Sequence, residues 1–226
     1  MAENIEGVFL RIREAAAKAG RDARSITLVA ASKSVSPEKV KEAFGAGLSD
    51  FGENRIQEAQ KKMGALSGLP LRWHFFGHLQ TNKANAAMDM GFELIHSVDS
   101  VRLLNILETR AAKAGKNQRA LVEVKLSVEP SKHGVQEEGL FEILCASRGA
   151  SRIKIEGLMM VPPYFTGRQE ARPYFARLRA LKEKAEAEGF YLPHLSMGMS
   201  HDFEAAIEEG ATIVRIGTAI FGGREK

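Results

Sequence analysis

A single cysteine, Cys145, stands among the 226 residues, so the chain can close no disulfide of its own. It lies beside the apolar stretch Leu140 to Leu144, where it reads as a buried, inert thiol, and one cysteine fits the cytoplasm better than an oxidising compartment. No stretch approaches the ~18 apolar residues of a membrane-spanning helix. The N-terminal Met1-Ala2-Glu3-Asn4-Ile5-Glu6 is polar and acidic, where a secretory signal needs a basic start and an apolar core. Charge of one sign is scarce too: 32 Lys and Arg stand against 28 Asp and Glu, a net charge of +4, with no run of five or six like charges. Neither nucleic acid nor a membrane is called for as a partner. Proline is limited to seven residues and the 21 glycines are scattered, so no linker divides the chain, and residues 1–226 read as one domain.

What is present alternates. The 44% hydrophobic and 27% charged residues are globular composition. Ile5, Val8, Phe9, Ile12, Ala16 and Ala19 recur at helical spacing up to Gly20, predicting an opening amphipathic helix. Eight short runs rich in Val, Ile and Leu then read as buried strands: Thr27 to Ala31, Leu48 to Phe51, Leu71 to Phe76, Glu93 to His96, Ala120 to Leu126, Ile153 to Leu158, His194 to Met197 and Thr212 to Ile216. Between them lie helical patterns whose start signals are Ser36 before Pro37, Thr81, Ser100 and Ser200. Several stop at glycine: Gly45 or Gly47, Gly91, Gly115, Gly189 and Gly210. Eight units at about 28 residues each match the compact end of the (β/α)8 barrel range. An open doubly wound sheet would want a Gly-rich turn after its first strand, where this chain has Ser32-Lys33-Ser34. The expected fold is α/β, a TIM-type (β/α)8 barrel with an extra N-terminal helix, its functional groups where strands end.

Lys33 emerges straight from the apolar run Leu28 to Ala31. A lysine at a barrel mouth, partly desolvated, presents more free amine to attack an aldehyde and hold a Schiff base. A lysine that simply snorkels to solvent is the plain alternative. Lys125 competes, although the alternation Val122-Glu123-Val124-Lys125 fits better with a Glu123–Lys125 ion pair. Ser196-Met197-Gly198-Met199-Ser200 and Arg215-Ile216-Gly217-Thr218 follow the last two strands, where barrels often bind phosphate, although capping and turn chemistry accounts for either segment alone. Together, an amine and a phosphate anchor point to a phosphorylated aldehyde, of which pyridoxal phosphate is the common one. Asn54, after the second strand, fits a contact to a ring hydroxyl or a helix cap. His74 and His78 would lie about 13 Å apart along a strand, out of metal-ligand geometry. His96-Ser97-Val98-Asp99-Ser100 lacks a nucleophile elbow, which sets a hydrolytic triad aside.

Read together, these segments resemble the pyridoxal-phosphate homeostasis family, whose fold is like the barrel domain of alanine racemase and other fold-type III enzymes. The resemblance rests on Leu28 to Lys33, Phe51-Gly52-Glu53-Asn54-Arg55, Trp73 to Lys83, His96 to Ser100, Gly157-Leu158-Met159, Leu195 to Asp202, and above all Val214-Arg215-Ile216-Gly217-Thr218-Ala219-Ile220-Phe221-Gly222. It implies that Lys33 forms the internal aldimine with pyridoxal 5'-phosphate and that Ser200, Gly217 and Thr218 hold the phosphate. It also places Asn54 near the ring oxygen, Met159 against the ring and Arg215 at the pyridine nitrogen. A guanidinium there donates but does not accept, so the ring nitrogen stays unprotonated and the cofactor is a weaker electron sink. The chain departs from the family at Ser34-Val35-Ser36-Pro37, where a Thr and an earlier Pro are usual, and at Lys125, which replaces a usual Asn and puts a charge near the mouth. The implied function is a non-catalytic carrier in vitamin B6 homeostasis, delivering the cofactor to apo-enzymes that depend on it. The length, used up by one barrel, leaves no room for a racemase's second domain and slightly favours a monomer. A pyridoxal-phosphate-dependent amino-acid racemase or decarboxylase is the rival, for which Tyr164 is the one tyrosine near a plausible site. A sugar-phosphate enzyme using Lys33 as an aldolase does shares the phosphate site but none of these motifs.

Overall fold

The computed structural model describes residues 1–127, 129, 132–165, 167 and 169–223. The opening helix α1 (Ala2–Lys18) is followed by β1 (Thr27–Ala31), α2 (Pro37–Gly45), β2 (Asp50–Glu53), α3 (Ile56–Ala65), β3 (Arg72–Phe75), α4 (Ala84–Met90) and β4 (Leu94–Val98). The second half runs α5 (Val101–Ala114), β5 (Gln118–Glu123), α6 (Glu137–Ser147), β6 (Ile153–Met159), α7 (Arg172–Ala187), β7 (His194–Ser196), α8 (Phe203–Glu208), β8 (Ile213–Ile216) and α9 (Thr218–Phe221). All eight expected strands form. Each pairs in parallel with its sequence neighbours, and β1 pairs with β8 from Thr27↔Ile213 to Ala30↔Ile216, which closes the sheet. The fold is the expected TIM-type barrel with an extra N-terminal helix. Strand β1 has the expected ends, and the other strand ends agree with the sequence reading to within three residues.

The closed sheet separates two apolar regions. Outside it, the helices bury a large core that includes Phe51, Phe75, Leu104, Phe175 and Phe203. Inside, Val29, Leu94, Leu121, Met159 and Ile213 form a smaller cluster with Phe76 and Val161 against it. Gly52 makes room for this filling, because a Cβ there would lie 2.3 Å from the Phe76 ring.

Helix α1 buries Ile5, Val8, Ile12, Ala15 and Ala16 on one face, each large side chain contributing about 1.5–3 kcal/mol. That face packs on α8 and α9. Arg11 pairs with Glu204 at 2.6 Å, Arg21 donates to the carbonyls of Ile207 and Ala211 at 2.8 Å, and Asn4 donates to the Ile220 carbonyl at 3.1 Å.

The caps divide. The Ser36 and Ser100 hydroxyls accept from the N–H groups of Lys39 and Leu103, as expected of N-caps. Thr81 instead opens a 3-10 turn over Thr81–Lys83 ahead of α4. Ser200 also fails as a cap: α8 begins at Phe203 with Asp202 in the N-cap position, and the Asp202 carboxylate accepts from the Met199 N–H at 2.6 Å, which lengthens the turn. Cys145 is exposed rather than buried. Helix α6 buries Leu140, Ile143 and Leu144, and the next residue, a further 100° round the helix, leaves that face.

Candidate functional site

The sequence places Lys33 at the C-terminal end of β1, and the structure shows how that turn is held. Lys33 itself is exposed and follows the buried Ser32. Lys62, from α3, is buried and donates to the Ser32 carbonyl at 2.6 Å and to Glu53 Oε1 at 2.7 Å. The Ser32 hydroxyl donates to the same carboxylate oxygen at 2.6 Å. Burial pushes the Glu53 carboxyl up, and the bonds from Lys62 and Ser32 act against that. One residue past Lys33, Ser34 has φ 61, and its N–H donates to Glu58 Oε2 at 3.1 Å. An L-residue in the left-handed region is a local cost, here offset by an anchor on each side of Lys33. None of these anchors is a motif, since α3 supplies them across the fold.

Lys33 lines a cavity of about 700 Å³ together with Ser34, Ser36, Gly217, Thr218 and Phe221. Two expected site segments therefore meet, β1's end and β8's end. Gly217 passes close to β1, where a Cβ would stand 3.2 Å from the Ala31 carbonyl oxygen. The Thr218 N–H heads α9 with no carbonyl of its own helix to bond. Ser200 is tied to the same place, its hydroxyl accepting from the Ala219 N–H at 3.3 Å.

The other expected residues sit at the same end of the barrel without lining that cavity. Asn54, half-buried, follows β2. The chain after β3 lies directly on its backbone, because a Cβ on Gly77 would fall 2.0 Å from the Asn54 carbonyl oxygen. Met159 ends β6 within the interior apolar cluster. Arg215 is buried on β8, donating to the Ser196 hydroxyl at 2.5 Å and the Met160 carbonyl at 2.9 Å. Among the described residues its other N–H groups have no hydrogen-bond partner, so three of the guanidinium's five donors remain for a ligand. Burial lowers it to about 10, against the pull of Glu123 and Asp202, and it stays a cation at neutral pH.

Glu123 corrects the sequence reading. No ion pair joins it to Lys125 among the described residues. It is buried, with Oε2 lacking a hydrogen-bond partner. Burial raises it to about 7; Arg215 opposes the shift and Asp99 adds to it. The histidines separate as well. His78 pairs with Asp99 at 3.3 Å and stacks on His133 with ring centroids 4.0 Å apart, while His74 turns into the barrel. Among the described residues no group of three or more potential metal ligands occurs, and no helix is long and apolar enough to cross a membrane.

Comparison with known proteins bears on what this arrangement serves. A family model described as the alanine racemase N-terminal domain matches residues 10–225. The pyridoxal phosphate homeostasis protein of Aquifex aeolicus (strain VF5) is 46% identical over 224 residues, covering 99% of this chain and 98% of that protein. The chain belongs to the pyridoxal phosphate homeostasis protein family. Another structure at high likeness is PipY of Synechococcus elongatus, 36% identical. Without pyridoxal phosphate it has a TM-score of 0.86 over 98% of this chain and all of that one. With the cofactor bound the score is 0.81, over 93% of this chain and again all of that one. Alanine racemase of Clostridium difficile 630 shares the fold at 15% identity, with a TM-score of 0.76 over 99% of this chain and 58% of the racemase.

Proposed function

We propose that this member of the family binds pyridoxal 5'-phosphate at the open end of its barrel, holds it as a Schiff base on Lys33, and buffers it or delivers it to apo-enzymes without robust catalysis. The observation that carries the reading is the shared cavity: Lys33 stands on one side and Gly217 with Thr218 on another, around about 700 Å³, a volume typical of small-molecule sites. The residues fit the group. An exposed amine suits its aldehyde, a glycine-led turn with two hydroxyls suits its phosphate, and a buried guanidinium with unused donors suits an unprotonated ring nitrogen. The bound PipY relative supports the same cofactor.

When bound, the cofactor supplies an aldehyde that an amine captures reversibly and a ring that withdraws electrons. The chain's residues decide how far that goes. Thr218, Gly217 and Ser200 would hold the phosphate, Asn54 would meet the ring oxygen, and Met159 would form the apolar floor. Arg215 would donate to the ring nitrogen and supply no proton to it, which would weaken the electron sink and favour holding over turnover. Among the described residues no tyrosine, histidine, cysteine or carboxylate lines the cavity. Tyr164, 77% exposed, is not on its wall.

Adding pyridoxal phosphate to the purified protein is expected to give a yellow species that borohydride fixes on the Lys33 peptide, and Lys33→Ala is expected to lose that fixation entirely. A protein that stays colourless overturns the reading. In deuterated water the loaded protein should leave amino-acid α-protons unexchanged; rapid exchange or stereoinversion would establish the racemase or decarboxylase instead.

A further inference from the structure

A row of polar side chains crosses the barrel interior, where apolar layers are the rule. Asp50, at the N-terminal end of β2, touches His74 on β3, with 3.1 Å between Oδ1 and Nε2. His74 Nδ1 lies 3.0 Å from His96 Nε2 on β4. His96 Nδ1 lies 2.8 Å from the Ser196 hydroxyl on β7, which receives Arg215 from β8. Side chains from opposite strands of a closed sheet meet only inside it. Asp50 and His74 also line a cavity of about 440 Å³ at the other end of the barrel, so the row runs from that opening to the guanidinium.

The chemistry at its two ends sets its direction. Arg215 only donates. Burial acts to raise the Asp50 carboxyl, but the bonds from His74 and Arg72 outweigh it and hold the group well below the usual carboxylate range; Asp50 therefore only accepts. His74 must then carry its proton on Nε2, leaving Nδ1 to accept from His96 Nε2–H. His96 Nδ1 in turn accepts from Ser196, whose oxygen accepts from Arg215. Every proton and lone pair in contact is used once. The alternative, a cationic His74, would turn both imidazole protons toward Ser196 and leave the buried hydroxyl proton with no acceptor among the described residues, a costly state. Burial and the nearby His74, Arg215 and His194 keep His96 from taking up a proton.

We propose that Asp50, His74, His96 and Ser196 are positioning residues that act as a one-way hydrogen-bonded column, fixing the Arg215 guanidinium so that its remaining N–H groups face the ring nitrogen of the cofactor. The proposal rests on the pyridoxal phosphate reading for its function, but the column can be tested without the ligand. In the cofactor-free protein, long-range imidazole nitrogen–proton spectra at neutral pH should show His74 and His96 as Nε2–H tautomers, and the His96 shifts should stay flat between about pH 6 and 8.5. Titration of His96 in that range, or an Nδ1–H tautomer of either ring, overturns the column.

The second arm uses pyridoxal phosphate labelled with nitrogen-15 in its ring. The ring nitrogen of the loaded wild-type protein should show no protonation step over the same range. Around Arg215 stand Ser196 on β7, Met160 after β6, Glu123 on β5, His96 on β4, and Asp202 ahead of α8. Ser196→Ala removes one of these contacts. It should weaken cofactor affinity roughly 2- to 10-fold, give the ring nitrogen a titration step, and keep borohydride fixation on Lys33. Unchanged affinity and an unchanged nitrogen signal in Ser196→Ala overturn the proposal, while failure of the wild-type protein to bind at all overturns the cofactor reading and leaves the tautomer result standing. If Ser196→Ala does not fold, the wild-type spectra alone decide the column.

Discussion

The two ends of the barrel handle buried charge differently. At the N-terminal ends of the strands every charged group in the cluster has partners. Asp50 takes Arg72 at 2.5 Å and His74 at 3.1 Å. Arg119 reaches Glu93 and Glu156 at 2.6 Å each and His194 at 3.1 Å. At the C-terminal ends, Glu123 and Glu53 each keep a buried carboxylate oxygen with no hydrogen-bond partner, and Ser34 sits at positive φ. The first end leaves none of these charges without a partner. The second leaves groups unsettled around Lys33 and Arg215, the residues proposed to meet the cofactor.

Substitutions can break this contrast, and the largest effect is expected at the open end's backbone. Gly77→Ala drives a Cβ to 2.0 Å from the Asn54 carbonyl oxygen, and backbone cannot give way as a side chain does. The cost should reach or exceed the upper part of the about 1–3 kcal/mol typical of overpacking, read as a lowered denaturation midpoint; an unchanged midpoint would show that the close approach is not required.

Carboxylate removal should then have opposite signs at the two ends. Asp50→Asn is expected to destabilise by about 1.5–3 kcal/mol at neutral pH. Native Asp50 titrates below its unfolded value, so its contribution is present above the ordinary carboxylate range and lost as pH falls below it. Glu123 is the reverse: its folded value near 7 exceeds the unfolded one, so its contribution is complete below about pH 4.5 and lost as pH rises through 7. Glu123→Gln should remove that slope and gain up to about 2–3 kcal/mol at pH 8. Urea titrations across pH measure both, and a destabilised Glu123→Gln at pH 8 would end the contrast.

The smallest effect belongs to Cys145. Its thiol should react with an aromatic disulfide reagent in the native protein, and Cys145→Ser should change stability by no more than about 0.5 kcal/mol. Protection until unfolding would return it to the core.

Much of the fold was legible because buried parallel strands are written as short Val- and Ile-rich runs, and because Ser36-Pro37 and Ser100 cap helices locally. The ends of β1 and β8 were legible as a pair for the same local reason, each an apolar strand followed by groups suited to an aldehyde or a phosphate. Ser200 was misread as a cap because Asp202 reaches back to Met199, a choice that propensity does not encode. The Lys62 and Glu58 anchors and the histidine column were hidden, since His74 and His96 lie 22 positions apart and His96 and Ser196 lie 100 apart. A signal was nonetheless present: Asp50, His74, His96, Ser196 and Arg215 are polar residues alternating with or flanking apolar ones in the strand segments. Closing the sheet gives them one another.

The clasp of α1 on the far end of the chain bears on how the protein is made. Asn4 and Arg21 hold carbonyls 186 to 216 positions away, and β1 waits for β8. On a ribosome, the first helix is synthesised with its partners still unmade, so its apolar face must stay exposed or sheltered until the last strand emerges. Final locking of the barrel is thus a late event in synthesis, possible only once β8 has emerged.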